Sequence, residues 1–219
     1  MNPAGKKINF LGDSITAGVG VSDIERVYWK RLERECSLAL ARGYGVSGTR
    51  FASQTLPSRE PTYDMDFYTR ALDMDPDADI VAVFGGTNDF GHGDAPIGTM
   101  EDRDGFSFYG ACHRLFALLI EKYPQAVIII MTPLHRLNED DPMGDGIKPR
   151  PTAPLSRYRE IIIEVARYYS LPVLDLYSVS GIQPRLESSR QRLCPDGLHP
   201  NDEGHRLICE RLKGFLQSL

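Results

Sequence analysis

Apolar residues along this chain follow two periods, one typical of buried strands and one typical of helices. Short continuous apolar runs predict five β-strands, at Ile8–Leu11, Leu38–Ala41, Asp79–Phe84, Ala126–Thr132 and Pro172–Leu176. Apolar residues at helical spacing predict four helices, the first capped by Ser22, the second beginning at Asp104 or Ser107, the third around Leu155–Tyr169 and the last around Leu207–Leu216. This alternation predicts a mainly parallel five-stranded sheet covered on both faces, a three-layer α/β/α sandwich.

The bulk composition fits one globular domain over residues 1–219. A hydrophobic content of 42% and a charged content of 25% are ordinary for a soluble protein, and the length suffices for a single core. A formal net charge of -5 argues against a nucleic-acid partner, which would need a basic face. No apolar stretch reaches membrane-spanning length, so membrane insertion is not expected. The absence of a visible secretory signal and four scattered cysteines predict a reducing, cytoplasmic location.

The residues that follow the predicted strands are the first candidates for function, because ligands of parallel sheets bind beyond the carboxyl ends of the strands. Polar and glycine-rich segments follow the first three strands, at residues 12–14, 45–48 and 85–89. A further segment, residues 196–199, precedes the last helix. Two irregular stretches, Ser53–Asp66 and Leu134–Pro154, are unusually long, and loops of that length are often functional.

Three side chains in these segments are the parts of a nucleophilic triad: Ser14, Asp196 and His199. A tight turn can bring the carboxylate of Asp196 to one imidazole nitrogen of His199 while the other nitrogen points outward. Ser14 is distant in sequence, so only the fold can bring it to the imidazole. The amide of Gly48 and the side chain of Asn88 can donate hydrogen bonds to an oxyanion.

Together the four segments resemble the SGNH hydrolase superfamily, also called GDSL esterases and lipases. The matching blocks, in the family order, are GDSIT at 12–16, GVSG at 45–48, GTND at 86–89 and DGLH at 196–199. The resemblance implies a flavodoxin-like fold, with Ser14 as the nucleophile and Asp196 and His199 completing the triad. It also implies that Gly48 and Asn88 form an oxyanion hole with the backbone amide of Ser14.

The chain departs from the family pattern at two positions. Ile15 stands where the superfamily name has a leucine, and Gly43 stands where the second block often carries an asparagine. The second change can alter how the glycine loop is held, although it leaves the Gly48 amide in place. Each block alone is more typical of a turn or a helix cap, but four blocks in the family order favour the catalytic interpretation.

Several other polar residues lie near these blocks. We expect Asp13 and Asp89 to form hydrogen bonds that shape their loops, and we count them with His135, which follows the fourth strand, as candidate substrate-binding residues. His113 and His205 are expected to be structural or solvent-facing. The predicted site requires no metal and no organic cofactor, since serine, histidine and aspartate suffice for acyl transfer.

The sequence therefore predicts a serine esterase that hydrolyses carboxylic esters through an acyl-enzyme. The polar residues of Leu134–Pro154 favour a small acyl group, such as acetyl, on a polar or carbohydrate partner. One alternative is a lysophospholipase or thioesterase that acts on longer acyl chains. Another, outside enzymes, is a flavodoxin-like module that binds a ligand without chemistry. The predicted partner is a small-molecule ester or acylated carbohydrate, and the sequence leaves the oligomeric state open.

Overall fold

A five-stranded, all-parallel sheet forms the centre of the structure, a computed structural model that describes residues 1–58 and 60–219. Its strands are β1 (Lys7–Gly12), β2 (Leu40–Gly45), β3 (Ile80–Phe84), β4 (Val127–Met131) and β5 (Val173–Leu174). Their order across the sheet is β2-β1-β3-β4-β5. This is the flavodoxin-like strand order, in which the chain reverses direction across the sheet between β1 and β3.

Helices connect the strands and cover the sheet. They are α1 (Ser14–Ala17), α2 (Tyr28–Glu35), α3 (Phe67–Leu72), α4 (Thr87–Gly91), α5 (Phe108–Lys122), α6 (Leu155–Tyr168), α7 (Leu176–Val179), α8 (Glu187–Leu193) and α9 (Asp202–Ser218). Single 3₁₀ turns lie at Ile24–Arg26 and Pro61–Asp64. The predicted α/β fold class, with layers of helices around a parallel sheet, is confirmed.

The sheet has two apolar faces because successive side chains of a strand point to opposite sides. In β3, Val81 and Val83 pack on one face with α3, α5 and α6, while Ile80 and Ala82 pack on the other face with α2 and α9. All four side chains are buried. The strands therefore read as continuous apolar runs, the pattern on which their prediction depended.

The second strand lies further along the chain than predicted. It runs over Leu40–Gly45 instead of Leu38–Ala41, and it forms the edge of the sheet beside β1. Gly43 pairs with Phe10, and a Cβ at Gly43 would overlap the ring of Trp29. The strand therefore continues through glycines. Hydrophobic periodicity does not detect them, because the apolar surface that covers Gly43 is the ring of Trp29 in α2.

Two further element boundaries differ from the prediction. Ser22 does not cap the first helix: Asp23 caps the 3₁₀ turn, and the Ser22 hydroxyl donates to Asp202 at 2.7 Å. The fifth strand is only two residues long, because Asp175 turns aside and its carboxylate accepts hydrogen bonds from Thr132 and Arg159.

Of the two alternatives for the start of α5, Ser107 is the N-cap, and its hydroxyl accepts a hydrogen bond from the Gly110 amide.

Two histidines outside the predicted site and the four cysteines are buried. His113 and His205 are fully buried, so the solvent-facing alternative is wrong and the structural one holds. His205 accepts a hydrogen bond from the Tyr28 amide at 3.2 Å, and its ring stacks on that of Tyr28. All four cysteines are free and buried. Among the described residues, no helix is both long enough and apolar enough to cross a membrane.

Candidate active site

The first strand ends abruptly at the segment that carries Ser14. Strand β1 ends at Gly12 and α1 begins at Ser14, with Asp13 as its N-cap. The carboxylate of Asp13 accepts a hydrogen bond from the Ile15 amide at 3.0 Å. A Cβ at Gly12 would overlap the side chain of Thr16, so only glycine permits this exit from the strand. The result is a serine on the first turn of a helix beyond the carboxyl end of a strand.

Ser14, His199 and Asp196 form a continuous row of hydrogen bonds. The hydroxyl oxygen of Ser14 lies 3.0 Å from Nε2 of His199, and Nδ1 of the same ring lies 2.7 Å from Oδ2 of Asp196. With its proton on Nδ1, the neutral imidazole donates to the carboxylate and accepts the serine proton at Nε2. The fold therefore brings together the three triad residues that the sequence predicted.

The turn from Asp196 to His199 is held by its own backbone. Oδ1 of Asp196 accepts hydrogen bonds from the amides of Leu198, at 2.8 Å, and His199, at 2.7 Å. Gly197 has a φ of 80°, a left-handed conformation that glycine adopts without strain. Burial by itself would raise the pKa of Asp196, but these amides and the imidazole outweigh it and lower the pKa. The carboxylate is therefore ionised when it faces the imidazole.

Gly48, in the loop after β2, and Asn88, in α4, lie on neighbouring segments that are joined by a hydrogen bond. Gly48 follows β2 with a φ of 76°, and a Cβ there would overlap the ring of Tyr63. Asn88 is the second residue of α4, and its Nδ2 donates to the carbonyl of Thr49 at 3.0 Å. An amide Nδ2 carries two hydrogens, so this bond leaves one for another acceptor.

The carboxyl groups of Asp13 and Asp89 are buried and bonded to backbone. Both oxygens of Asp89 accept hydrogen bonds, from the amides of Phe51 at 3.0 Å and Ala52 at 2.9 Å, and so tie α4 to the loop after β2. Burial raises the pKa of each carboxyl group to about 6 despite these hydrogen bonds. These contacts fit loop shaping, and substrate binding by the two residues stays a prediction.

His135 follows β4, but its contacts lie away from the triad. Its Nδ1 lies 2.8 Å from the carboxylate of Glu139, and its ring centroid lies 3.6 Å from that of Tyr177. The same segment nevertheless reaches the triad two residues later, where the amide of Leu137 donates to the carbonyl of Gly197 at 2.9 Å. Contact between His135 and a substrate stays a prediction.

Sequence reasoning missed two residues that support the loop around Gly48. Arg70 of α3 is 7% exposed and donates from Nη1 to the hydroxyl of Thr49 at 2.7 Å and from Nη2 to the carbonyl of Tyr44. Tyr63, in the long loop before α3, packs its ring on Gly48. Hydrophobic periodicity gives no signal for either residue, because an arginine or tyrosine outside a motif is predicted to be a solvent-exposed side chain.

A cleft of about 580 Å³ opens beside this loop. The two long irregular stretches supply its apolar walls, with Leu56 and Pro57 on one side and Ile147 and Pro149 on the other. Tyr63, the residue that packs on Gly48, also lines the cleft. Leu56 is 54% exposed and Ile147 is 74% exposed, so both present apolar surface to whatever enters the cleft. The cleft therefore adjoins the loop that carries Gly48.

The site combines a doubly wound sheet with a serine, a histidine and a carboxylate in one hydrogen-bonded row, an arrangement that suits nucleophilic hydrolysis. The sequence profile of the GDSL-like Lipase/Acylhydrolase family matches residues 10–207, and the chain belongs to this family. It is therefore a hydrolase, which excludes the binding-module alternative as its whole function. A search of the curated proteins found no match.

Solved structures of similar fold cover nearly the whole chain. A protein from Lactobacillus plantarum is 30% identical with a TM-score of 0.84, over 98% of each chain. The lipase/acylhydrolase from Enterococcus faecalis is 21% identical with a TM-score of 0.65, over 97% of this chain and 96% of its own. A two-domain esterase active on acetylated mannans is 19% identical with a TM-score of 0.62, over 99% of this chain and 50% of its own. The two more distant relatives show the fold alone.

Proposed function

We propose that this hydrolase is a serine esterase in which Ser14 is the nucleophile, His199 the general base and Asp196 the residue that orients the imidazole. The observation that carries the proposal is the row of hydrogen bonds from Ser14 through His199 to Asp196, at 3.0 and 2.7 Å. A nucleophile, a base in hydrogen-bond reach and a group that fixes the base are the three parts that activation of a hydroxyl requires.

The reaction begins when the hydroxyl of Ser14 attacks the ester carbonyl and its proton passes to Nε2 of His199. The negative charge that develops on the carbonyl oxygen needs fixed donors, and the amides of Ser14 and Gly48 and the Nδ2 of Asn88 supply them. One such donor typically contributes about 3–4 kcal/mol of transition-state stabilisation. The ionised Asp196 stabilises the imidazolium that forms.

The tetrahedral intermediate collapses when His199 gives its proton to the departing alcohol oxygen, which leaves an acyl group on Ser14. A water molecule then attacks the acyl-enzyme, with His199 again as base, and releases the acid. Every proton in the cycle moves between Ser14, His199, the substrate and water.

The first test replaces Ser14 by alanine and follows the hydrolysis of p-nitrophenyl acetate. We expect kcat to fall by at least 10³-fold, because the nucleophile is removed while the fold is kept. The matched control is Ser22→Ala, a serine whose hydroxyl bonds only at the surface, to Asp202. A fluorophosphonate probe should label the wild type and the control at one site and leave Ser14→Ala unlabelled. A Ser14→Ala protein that turns over at the wild-type rate would refute the proposal.

The alcohol part of the substrate is proposed to be polar, such as a carbohydrate, and the acyl part to be short. The leaving oxygen must face Nε2 of His199, and the segment after β4 reaches this side through the bond between Leu137 and Gly197. Charged side chains crowd this segment: Arg185 pairs with Asp140 and lies 3.6 Å from Glu139. A polar leaving group suits such surroundings better than a lipid does. One fold relative is an esterase active on acetylated mannans, which agrees with this choice.

The second candidate is an esterase for longer acyl chains, and the cleft of about 580 Å³ favours it. The cleft adjoins the loop that carries Gly48, and exposed Leu56 and Ile147 line it. An acetyl group would leave it empty, whereas a longer apolar acyl chain would fill it.

A comparison of kcat/KM for acetyl, butyryl and octanoyl p-nitrophenyl esters distinguishes the two candidates. A short-acyl enzyme prefers acetyl, and Ile147→Asp leaves its preference unchanged. A long-acyl enzyme prefers octanoyl, and Ile147→Asp lowers kcat/KM for octanoyl by 10-fold or more while sparing acetyl. The matched control is Leu186→Asp, which changes a leucine that is also exposed but lies outside the cleft.

A further inference from the structure

The strand that leads into the Gly48 loop carries no side chain at residue 43. Residue 43 is a glycine, and the ring of Trp29 occupies the space where a side chain there would lie. The indole Nε1 of Trp29 donates to the carbonyl of Thr16 at 2.9 Å, which fixes the ring in that place. Residue 43 therefore contributes no polar side chain to hold the loop, and another group must restrain residues 44–49.

We infer that Arg70 is the positioning residue that holds the oxyanion loop, an inference that rests on the proposed function. Its guanidinium donates to the carbonyl of Tyr44 and to the hydroxyl of Thr49, so that one side chain joins the two ends of the loop around Gly48. The Thr49 hydroxyl in turn donates to the carbonyl of Val46 at 2.7 Å. Arg70 thus fixes the path of the backbone on both sides of the Gly48 amide.

The same contacts connect Arg70 to the second proposed oxyanion donor. The carbonyl of Thr49 accepts the hydrogen bond from Nδ2 of Asn88 at 3.0 Å. A displacement of Thr49 would therefore move the Gly48 amide, which precedes it, and would also release the side chain of Asn88. The hydrogen bonds of Arg70 go to Tyr44 and Thr49 and not to the triad, so its effect on the oxyanion donors passes through these two residues.

Burial of Arg70 is costly, which argues against a role in packing alone. The guanidinium is almost inaccessible, and desolvation lowers the pKa of Arg70 to about 10 even though Asp13 and Asp66 lie near enough to favour its charge. Its two hydrogen bonds go to neutral oxygens, and its apolar neighbour is the ring of Phe67 at 5.2 Å. An apolar side chain would fill this volume at lower cost, whereas only the planar fork of arginine reaches both oxygens at once.

The test compares Arg70→Met and Arg70→Lys with the wild type on p-nitrophenyl acetate. Methionine fills the volume without donors, and we expect kcat to fall by about 100-fold, the loss typical of a displacement of about 1 Å at the reacting centre. KM should stay within about threefold, because Arg70 does not contact the substrate. Lysine supplies a single point of donation and should recover only part of kcat. The matched control is Arg114→Met, an arginine of α5 that stacks on Tyr68.

Chemical rescue distinguishes a positioning role from a purely structural one. Added guanidinium at millimolar concentration should restore part of kcat to Arg70→Ala and leave the wild type unchanged. Thr49→Val removes the hydroxyl to which Arg70 donates. The fall in kcat caused by Thr49→Val should therefore not add to the fall caused by Arg70→Met in the double variant. The fluorescence of the single tryptophan, Trp29, monitors folding in every variant.

Three outcomes would overturn the inference. In the first, Arg70→Met keeps kcat within twofold of wild type. In the second, the fall in kcat equals the fraction of Arg70→Met that is unfolded, and guanidinium does not restore activity. In the third, the falls in kcat of Arg70→Met and Thr49→Val are additive in the double variant. Failure of the proposed function is separate, since it appears as wild-type turnover by Ser14→Ala whatever Arg70→Met does.

Discussion

Replacement of Asp13 by asparagine should raise the free energy of unfolding relative to wild type by an amount that grows from acidic to neutral pH. Asp13 is 2% exposed, and burial raises the pKa of its carboxyl group from 3.8 to about 6. Its Oδ1 accepts the Ile15 amide, a bond that the carbonyl oxygen of asparagine can also accept. The substitution therefore removes the buried charge and keeps the helix cap.

The size of the effect follows from the two pKa values of Asp13. The unfolded chain releases this proton near pH 3.8, whereas the folded chain holds it until about pH 6. The folded state therefore binds more protons between these values, and the wild type loses stability as the pH rises through this window. The loss is about 3 kcal/mol above pH 6. Asparagine does not titrate, so the advantage of Asp13→Asn over wild type should grow by about 2 kcal/mol between pH 4 and pH 8, since part of the loss is already present at pH 4.

Urea unfolding, followed by the fluorescence of Trp29, measures the free energy of unfolding at each pH. The quantity of interest is the difference between Asp13→Asn and wild type, in which the other titrating groups largely cancel. Asp79→Asn is the matched control, because hydrogen bonding from the Lys7 amide lowers the pKa of Asp79. Its contribution is lost only as the pH falls below 3.8, so its difference from wild type should be flat between pH 4 and pH 8.

A flat difference for Asp13→Asn over this range would show that the buried carboxyl group does not have a raised pKa. A difference that falls as the pH rises would show that the ionised form of Asp13 is the one the fold favours. Either result would refute the reasoning, whatever constant offset the substitution adds at every pH.

Three further substitutions test other parts of the structure. Gly48→Ala places a Cβ against Tyr63 at a φ of 76°, so we expect kcat and fluorophosphonate labelling to slow by 10-fold or more; wild-type labelling would contradict this. Gly43→Ala pushes against Trp29 and should lower the free energy of unfolding in urea by about 1–3 kcal/mol, and an unchanged midpoint would count against that packing. Asp196→Asn should reduce kcat by about 10⁴-fold with little change in KM, because the imidazole loses its orienting carboxylate; a loss below 10-fold would argue against the triad.

Much of the fold could be predicted from the sequence because its signals are local. Buried strands such as β3 and β4 are continuous apolar runs, and the sequence placed the start of α5 at one of two capping residues, Asp104 or Ser107, of which the structure selects Ser107. Strand β2 was misplaced because its glycines carry no apolar signal and Trp29 supplies the surface that covers Gly43. Short helices such as α1 and α4 were missed because each begins directly at a strand end and is too short to show a period.

The sequence by itself determined the α/β class, because buried strands and amphipathic helices have local hydrophobic periods. It also determined the three residues of the predicted triad, because four short blocks occur together in the family order. Only the tertiary structure decided the contacts among them. The bond between Ser14 and His199 joins residues 185 positions apart, and it depends on where the sheet brings β1 to the turn before α9. The partners of Arg70 depend on the packing of α3 against the loop after β2. Buried polar groups find their partners through the whole fold, and no local pattern records which ones they meet.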